Sequence, residues 1–423
     1  MAAPRFATLG KWLSWQETLH HSKVDLGLER LASVARTLLD LPPDFAVITV
    51  AGTNGKGSVC AYLNAALLAA GFKTGMFTSP HLQRYNERIQ IDGRPVSDDR
   101  LVEVFQRIDA ARGDTTITYF EFSALAALLV FADAAVDCAI LEVGMGGRLD
   151  AVNIVDADVA LITGIGLDHQ AWLGDNREQI SFEKAGIMRP GRPAVCGDRD
   201  PPARLLEHAE SIGAPLLLIG RDFDVCRHER GWAYRAGSLV LPDLPLPALH
   251  GTVQLDNAAV AIAGFQALGD RFPLAVGHIK KALESVQLPG RVQVLGDRPA
   301  WILDVSHNPE SARVLSEWLA NGACAGRTHL VLGMLGDKDA PGVAAALSGV
   351  VDDWYLCGLP GDRGMSAADL GERIAGHVVG MNVSLHASVR EACEAAAKAA
   401  GENDRIVVCG SFHTVGEALS LGL

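Results

Sequence analysis

The stretch FAVITVAGTNGKGSVCAYLNAALLAAG, residues 45–71, decides the fold. Residues 45–51 form a nearly unbroken apolar run with β-branched Val and Ile, the pattern of a strand buried on both faces of a parallel sheet. A glycine-rich turn follows. A helical pattern then covers 58–70, and Gly71 closes it. Strand, glycine loop and helix in this order make a phosphate cradle. Glycines let successive N–H groups turn toward phosphate oxygens, and the helix adds its positive N-terminal end. Thr53, Asn54, Gly55, Lys56, Gly57 and Ser58 are therefore the candidate nucleotide contacts. Lys56 suits the β- or γ-phosphate and Ser58 a magnesium ion. The run departs from the GxxxxGK[ST] pattern twice: Val50 stands where the first Gly would be, and Gly57 separates Lys56 from Ser58.

Outward from this unit, short Val- and Ile-rich runs at 137–143, 158–163 and 193–197 alternate with helical patterns at 101–111, 119–135, 253–268 and 274–286. That alternation predicts an α/β architecture with a mostly parallel sheet. A second α/β series starts at Trp301, with strands expected over 301–305, 328–333, 352–357, 383–386 and 405–409. Leu288-Pro289-Gly290 is the natural linker, so the expected domains are 1–290 and 291–423. Residues 222–249, rich in Pro and Gly with mixed polarity, read as an irregular or β-hairpin insertion.

The length of 423 residues is too great for one core and predicts two domains. Hydrophobic residues at 49% and charged residues at 21% give the balance of a soluble globular protein. A formal charge of −13 argues against a nucleic-acid surface, which needs clustered Lys and Arg, while leaving room for a local basic pocket. No segment approaches the roughly 20 apolar residues of a membrane span. The longest candidate, 122–132, lies between Glu121 and Asp133 and fits a buried helix, and Lys11 and Glu17 interrupt any secretory core. The 8 cysteines are scattered without CxxC pairs, which fits free thiols in a reducing cytoplasm.

Several polar groups fall just after expected strands, where open parallel sheets bind ligands. Glu142 suits magnesium, which takes oxygen ligands and keeps several waters; pairing with Arg148 is the other reading. His169 fits either a ligand or a structural hydrogen-bonding group, and Lys184 reads equally as a surface lysine. Asp304 suits a ribose hydroxyl or a metal-bound water, and His307 a γ-phosphate; a plain Asn308-Pro309 turn opening a helix is the competing account. Arg291, beside the linker, offers a cation for a transferring phosphoryl group.

Ten ordered runs together resemble the folylpolyglutamate synthase and dihydrofolate synthase family within the Mur-type ligases. They are 24–31 (VDLGLERL), 52–58, 78–82 (TSPHL), 86–93 (NERIQIDG), 141–153 (LEVGMGGRLDAVN), 168–174, 183–187, 254–259, 304–309 and 409–415 (CGSFHTV). The resemblance implies a P-loop Mur-ligase-like central domain and a smaller C-terminal Rossmann-like domain, with ATP between them. It implies Lys56 and Ser58 at the phosphates and first magnesium, Ser79 and Glu142 completing that site, and His169 at a second metal. Lys184 matches a lysine that is carbamylated in this family. Asn257 is implied at adenine, Arg291 and His307 at phosphate, and Asp304 at ribose. Asp25, Gly27 and Leu28 resemble a segment for dihydropteroate, with Phe122 as a ring neighbour or core residue and Lys338 as a glutamate contact or a solvated turn. The implied activity is a cytoplasmic, monomeric ATP- and magnesium-dependent ligase. It joins L-glutamate to dihydropteroate and reduced folates through an acyl-phosphate. Another Mur-type ligase acting on a cell-wall precursor is the alternative, which 24–31 and 78–82 disfavour.

Overall fold

The computed structural model describes residues 5–22, 25, 27–229 and 231–422. Two compact units emerge. The first runs through His81 and continues over Tyr85–Ala248 and Leu255–Val286; the second comprises Leu82–Arg84, Leu249–Gln254 and Gln287–Leu423.

The first unit is built on eight strands: β1 (Ala46–Ala51), β2 (Thr74–Phe77), β3 (Ile89–Ile91), β4 (Arg94–Pro95), β5 (Cys138–Glu142), β6 (Val159–Ile162), β7 (Ala194–Cys196) and β8 (Leu216–Leu218). Their order is β4-β3-β2-β5-β1-β6-β7-β8. From β2 to β8 all pairs are parallel, and β3 and β4 add an antiparallel edge. Every residue of β1 and β5 is buried, as expected of central strands covered on both faces. Register places Val50 beside Glu142 and Ala51 beside Ile162, so β5, β1 and β6 end at one edge.

Residues 222–249 were expected as an irregular or hairpin insertion. They form a three-stranded antiparallel sheet, β9 (Phe223–His228), β10 (Gly231–Ala236) and β11 (Leu239–Leu244), two hairpins in succession whose burial does not alternate regularly and so left the strand count unread in the sequence. The apolar stretch after Glu121 is the buried helix Tyr119–Ala134. A capping box starts it: Glu121 N–H donates to Thr118 Oγ1 at 3.2 Å, and Thr118 N–H donates to Glu121 Oε2 at 2.6 Å. Glu121 Oε1 also accepts from Arg30 at 3.0 Å, and Arg30 pairs with Asp25 at 2.7 Å. Among the described residues no helix is long and apolar enough to cross a membrane.

The second unit carries β12 (Gln293–Leu295), β13 (Ala300–Leu303), β14 (Thr328–Leu332), β15 (Asp353–Cys357), β16 (Asn382–His386) and β17 (Arg405–Cys409), in the order β12-β13-β17-β14-β15-β16. All pairs but β12·β13 are parallel. Because β13 and β17 are neighbours, the segments after Leu303 and Cys409 leave the sheet side by side. The expected turn at Asn308-Pro309 is present: Asn308 Oδ1 accepts the Ser311 amide at 2.9 Å and caps the helix Pro309–Asn321.

Thr118→Ala removes one half of the capping box. A loss of about 1 kcal/mol is expected, read as a lower midpoint in urea unfolding.

Candidate active site

The strand ends of the first unit deliver the phosphate loop, Ser79, Glu142 and the 164–169 segment to one edge. Loop and strand are stitched together: Thr53 N–H donates to Gly164 O at 2.8 Å, and Thr163 Oγ1 donates to Asn54 O at 2.6 Å. Gly55 has φ +91°, and a Cβ there would stand 2.6 Å from Asn257 Oδ1. Only glycine lets Asn257, itself buried, close onto the loop. Gly55 also precedes the helix Lys56–Ala69 and gives it no side-chain cap, the arrangement in which first-turn amides suit an anion. The helix starts at Lys56, two residues before the expected start, because left-handed Gly55 already turns the chain. Lys56 Nζ donates to Gly52 O at 3.0 Å and Thr53 O at 3.2 Å, which holds its charge over the loop. Ser58 is buried at the first turn.

Glu142 ends β5, and its Oε2 accepts the Ser79 amide at 3.1 Å. The alternative pairing with Arg148 does not occur: Arg148 binds Glu183 at 2.8 Å. The Gly-rich segment after β5 locks onto the helix Arg177–Ala185 instead. Arg148 N–H donates to Glu183 O at 2.7 Å, and Asn153 Nδ2 donates to Arg148 O and Gly186 O. A Cβ at Gly147 would lie 2.9 Å from Glu183 O, so close backbone approach fixes where Lys184 stands.

Lys184 is not a surface lysine; it is 3% exposed. Burial pulls its ammonium down to about 7, Lys56 adds repulsion, and Asp168 and Asp150 pull the other way. Asp150 is buried too. Burial pushes its carboxyl up to about 6 against the amides of Met145, Val152 and Gly144 and the charge of Lys56. Lys56, Lys184, Asp150 and Asp168 are thus one electrostatic cluster. His169 has a left-handed backbone (φ 52°), and its N–H donates to Asp168 Oδ1 at 2.8 Å. Among the described residues no three His, Cys, Asp or Glu side chains converge as a ready-made metal cage. A metal here would need donors of other kinds as well, as magnesium commonly does when it takes hydroxyls and phosphates.

Sequence reasoning assigned nothing to Asp150, Asp168, Arg88 or Phe412, although each lies inside a quoted run. Arg88 is buried, donates from Nε to His81 Nδ1 at 2.8 Å, and lies 5.6 and 5.5 Å from the Tyr85 and Tyr119 ring centroids. Each of these residues is marked only by its own neighbours in space: Asp150 and Asp168 act on Lys184, Arg88 lies over two tyrosine rings, and Phe412 lies under Arg291.

In the 24–31 run, Val24 and Leu26 lie outside the described residues. Asp25 pairs with Arg30 and stands 3.4 Å from His20 Nε2; Gly27 and Leu28 are half-buried, and Leu28 precedes the helix Glu29–Arg36. Phe122 is fully buried, with Trp12, Trp15 and Phe105 around its ring.

The second unit groups Arg291, Asp304, His307 and Phe412. Asp304 accepts the Val292 amide at 2.8 Å and the Ser306 amide at 2.9 Å, which fastens the backbone next to Arg291 onto the end of β13. The Arg291 guanidinium lies 5.1 Å from the Phe412 ring centroid, and the His307 ring 6.1 Å from it. His307 Nδ1 is 2.9 Å from Val305 O, which orients the imidazole. Lys338 lies in an exposed turn, but its side chain tucks inward: it is 7% exposed, with Nζ 4.0 Å from Asp337.

Residues 50–225 match the Mur ligase middle domain, and residues 290–412 the glutamate ligase domain of Mur ligases. The dihydrofolate synthase/folylpolyglutamate synthase of Escherichia coli K12 is 43% identical over 98% of this chain and 95% of its own length. A structure of Escherichia coli FolC in complex with DHPP and ADP superposes with a TM-score of 0.93 at 42% identity, covering 99% of both chains. A bifunctional folylpolyglutamate synthase/dihydrofolate synthase with Mn, AMPPNP and L-glutamate bound gives 0.91 at 43% identity over 100% of both.

Lys184 gives a pH signature. Its folded value lies below the ordinary lysine value of 10.5, so the unfolded chain holds more protons between pH about 7 and about 10.5. Stability from this group therefore rises with pH across that window, and its cost is complete below about 7. In CO₂-free buffer Lys184→Met should melt higher than the unsubstituted chain at pH 6–7, by about 2 °C or more. The gap should close as pH approaches 10.

Proposed function

Because the chain belongs to the dihydrofolate synthase/folylpolyglutamate synthase family of ATP-dependent Mur ligases, we propose that it adds L-glutamate to dihydropteroate and to reduced folates. A carboxylate does not acylate an amine at neutral pH, since its oxygen is a poor leaving group. The acceptor carboxylate therefore attacks the γ-phosphorus of ATP, the bond to ADP breaks, and an acyl-phosphate forms. The glutamate amine then attacks the acyl carbon and loses a proton, and phosphate departs from the tetrahedral adduct.

The observation that carries this reading is the juxtaposition of the phosphate loop with Lys56, Lys184 and Asp150 at one strand edge. The loop amides and Lys56 hold the phosphates, Asn257 meets adenine, and Asp304 meets ribose while fixing the backbone beside Arg291. Arg291 and His307 neutralise the transferring group. Asp25, Gly27 and Leu28 serve the acceptor, Phe122 stays in the core as its full burial requires, and Lys338 serves the incoming glutamate.

Carbamylation suits Lys184 on physical grounds. Carbon dioxide adds to a neutral amine, one proton leaves, and a carboxylate-like group results; an ammonium pulled down to about 7 supplies that amine near neutral pH. The same step turns repulsion from Lys56 into attraction. Two magnesium ions would be held by Ser58, Ser79, Glu142, His169 and the carbamate, and would supply charge neutralisation at the phosphates. We place the reaction in the cytoplasm and on a monomer; the free cysteines, most of them buried, accord with a reducing compartment.

The test is ADP release with Mg-ATP and glutamate, using dihydropteroate, tetrahydrofolate or no acceptor. Turnover with both acceptors and not without them is expected. Silence with both, from folded protein that binds ATP, overturns the reading. Lys56→Ala and Glu142→Ala should each lower kcat at least about 100-fold with unchanged circular dichroism. In a separate check, protein equilibrated with ¹³C-bicarbonate should show a carbamate carbon resonance that disappears in Lys184→Arg. A resonance surviving that substitution would assign the carbamate elsewhere.

A further inference from the structure

Two large apolar side chains flank His169 and remain open to solvent: Leu167 is 50% exposed and Trp172 49%. They occupy the segment after β6 that carries Asp168, whose negative charge acts on the Lys184 amine. The backbone around Trp172 is fixed. Trp172 N–H donates to His169 O at 2.9 Å, and the next side chain, Leu173, is buried against the glycine segment after β5, where a Cβ on Gly146 would meet it at 2.9 Å. Leu173 thus takes the inward direction of this short helical turn, while the neighbouring indole, on the turn that His169 opens, stays half exposed. A half-exposed Trp held on an anchored turn next to His169 offers an aromatic face that a planar ligand can cover.

The geometry points to Trp172 as the residue that stacks on the aryl ring of the acceptor, and so favours dihydropteroate over glutamylated folates. This rests on the ligase reading above. In dihydropteroate the reacting carboxylate is attached directly to the aminobenzoyl ring. When that carboxylate meets the γ-phosphate, the ring must lie within a few ångströms of the phosphate loop and the His169 segment. In tetrahydrofolate the reacting carboxylate ends a glutamyl side chain, so the ring lies several bonds further away. An aromatic wall beside His169 therefore meets the ring of the first acceptor and the glutamyl tail of the second.

The experiment measures kcat/KM with each acceptor at saturating Mg-ATP and glutamate for the unsubstituted chain, Trp172→Ala and Trp172→Phe. Trp172→Ala should lower the dihydropteroate-to-tetrahydrofolate ratio of kcat/KM by about threefold to tenfold, carried mainly by KM for dihydropteroate, as loss of one aromatic contact implies. Trp172→Phe should restore most of it. An unchanged ratio overturns the proposal, whether both reactions persist or both fall together as they would if the indole only met other protein. An unsubstituted chain silent with both acceptors overturns the ligase reading itself, so the two failures are distinguishable.

Discussion

Two lysines share one buried edge of the central sheet, and the rest of the site is arranged around that repulsion. Lys56 is tied to loop carbonyls, which holds its side chain over the cradle. Lys184 has no such freedom: the Gly147 approach and the Arg148–Glu183 stitches hold its helix against the segment that contains Asp150. Two like charges in a poorly solvated space are costly, and burial with that repulsion pulls the Lys184 ammonium down to about 7. Two acidic groups, Asp150 and Asp168, temper the field without cancelling it.

Parallel strands make such a cluster possible. Because β2, β5, β1 and β6 run in one direction, the residues that follow them emerge at a common edge whatever their distance along the chain. Ser79 and Glu142 are 63 positions apart, yet an amide–carboxylate hydrogen bond joins them.

The same regularity governs what could be read in advance. Runs of Val and Ile buried on both faces declared the central strands, and the Gly52–Ser58 loop declared the cradle. The antiparallel additions were fainter: β3 and β4 are very short, and 222–249 was legible only as an irregular or hairpin insertion, because pairing there depends on neighbours rather than on local pattern. Among the site residues, those in glycine-punctuated loops after strong strands were legible. Lys184 could be singled out only through resemblance, because its burial arises from a backbone contact made by Gly147, 37 positions earlier. Arg88 and Asp150 drew no reading in sequence, because only the packing of tyrosine rings and glycine-rich backbone removes them from water.

The carboxylate of Glu121 closes the N-terminus of the central apolar helix with one oxygen and receives Arg30 with the other. Through Arg30 it reaches Asp25, at the head of the segment proposed for the acceptor. One side chain therefore couples two opening equilibria, fraying of a core helix and release of a surface segment. Whatever quiets the segment also raises the free energy of unravelling that helix end, and amide exchange over 119–122 becomes a remote reporter of events near Asp25.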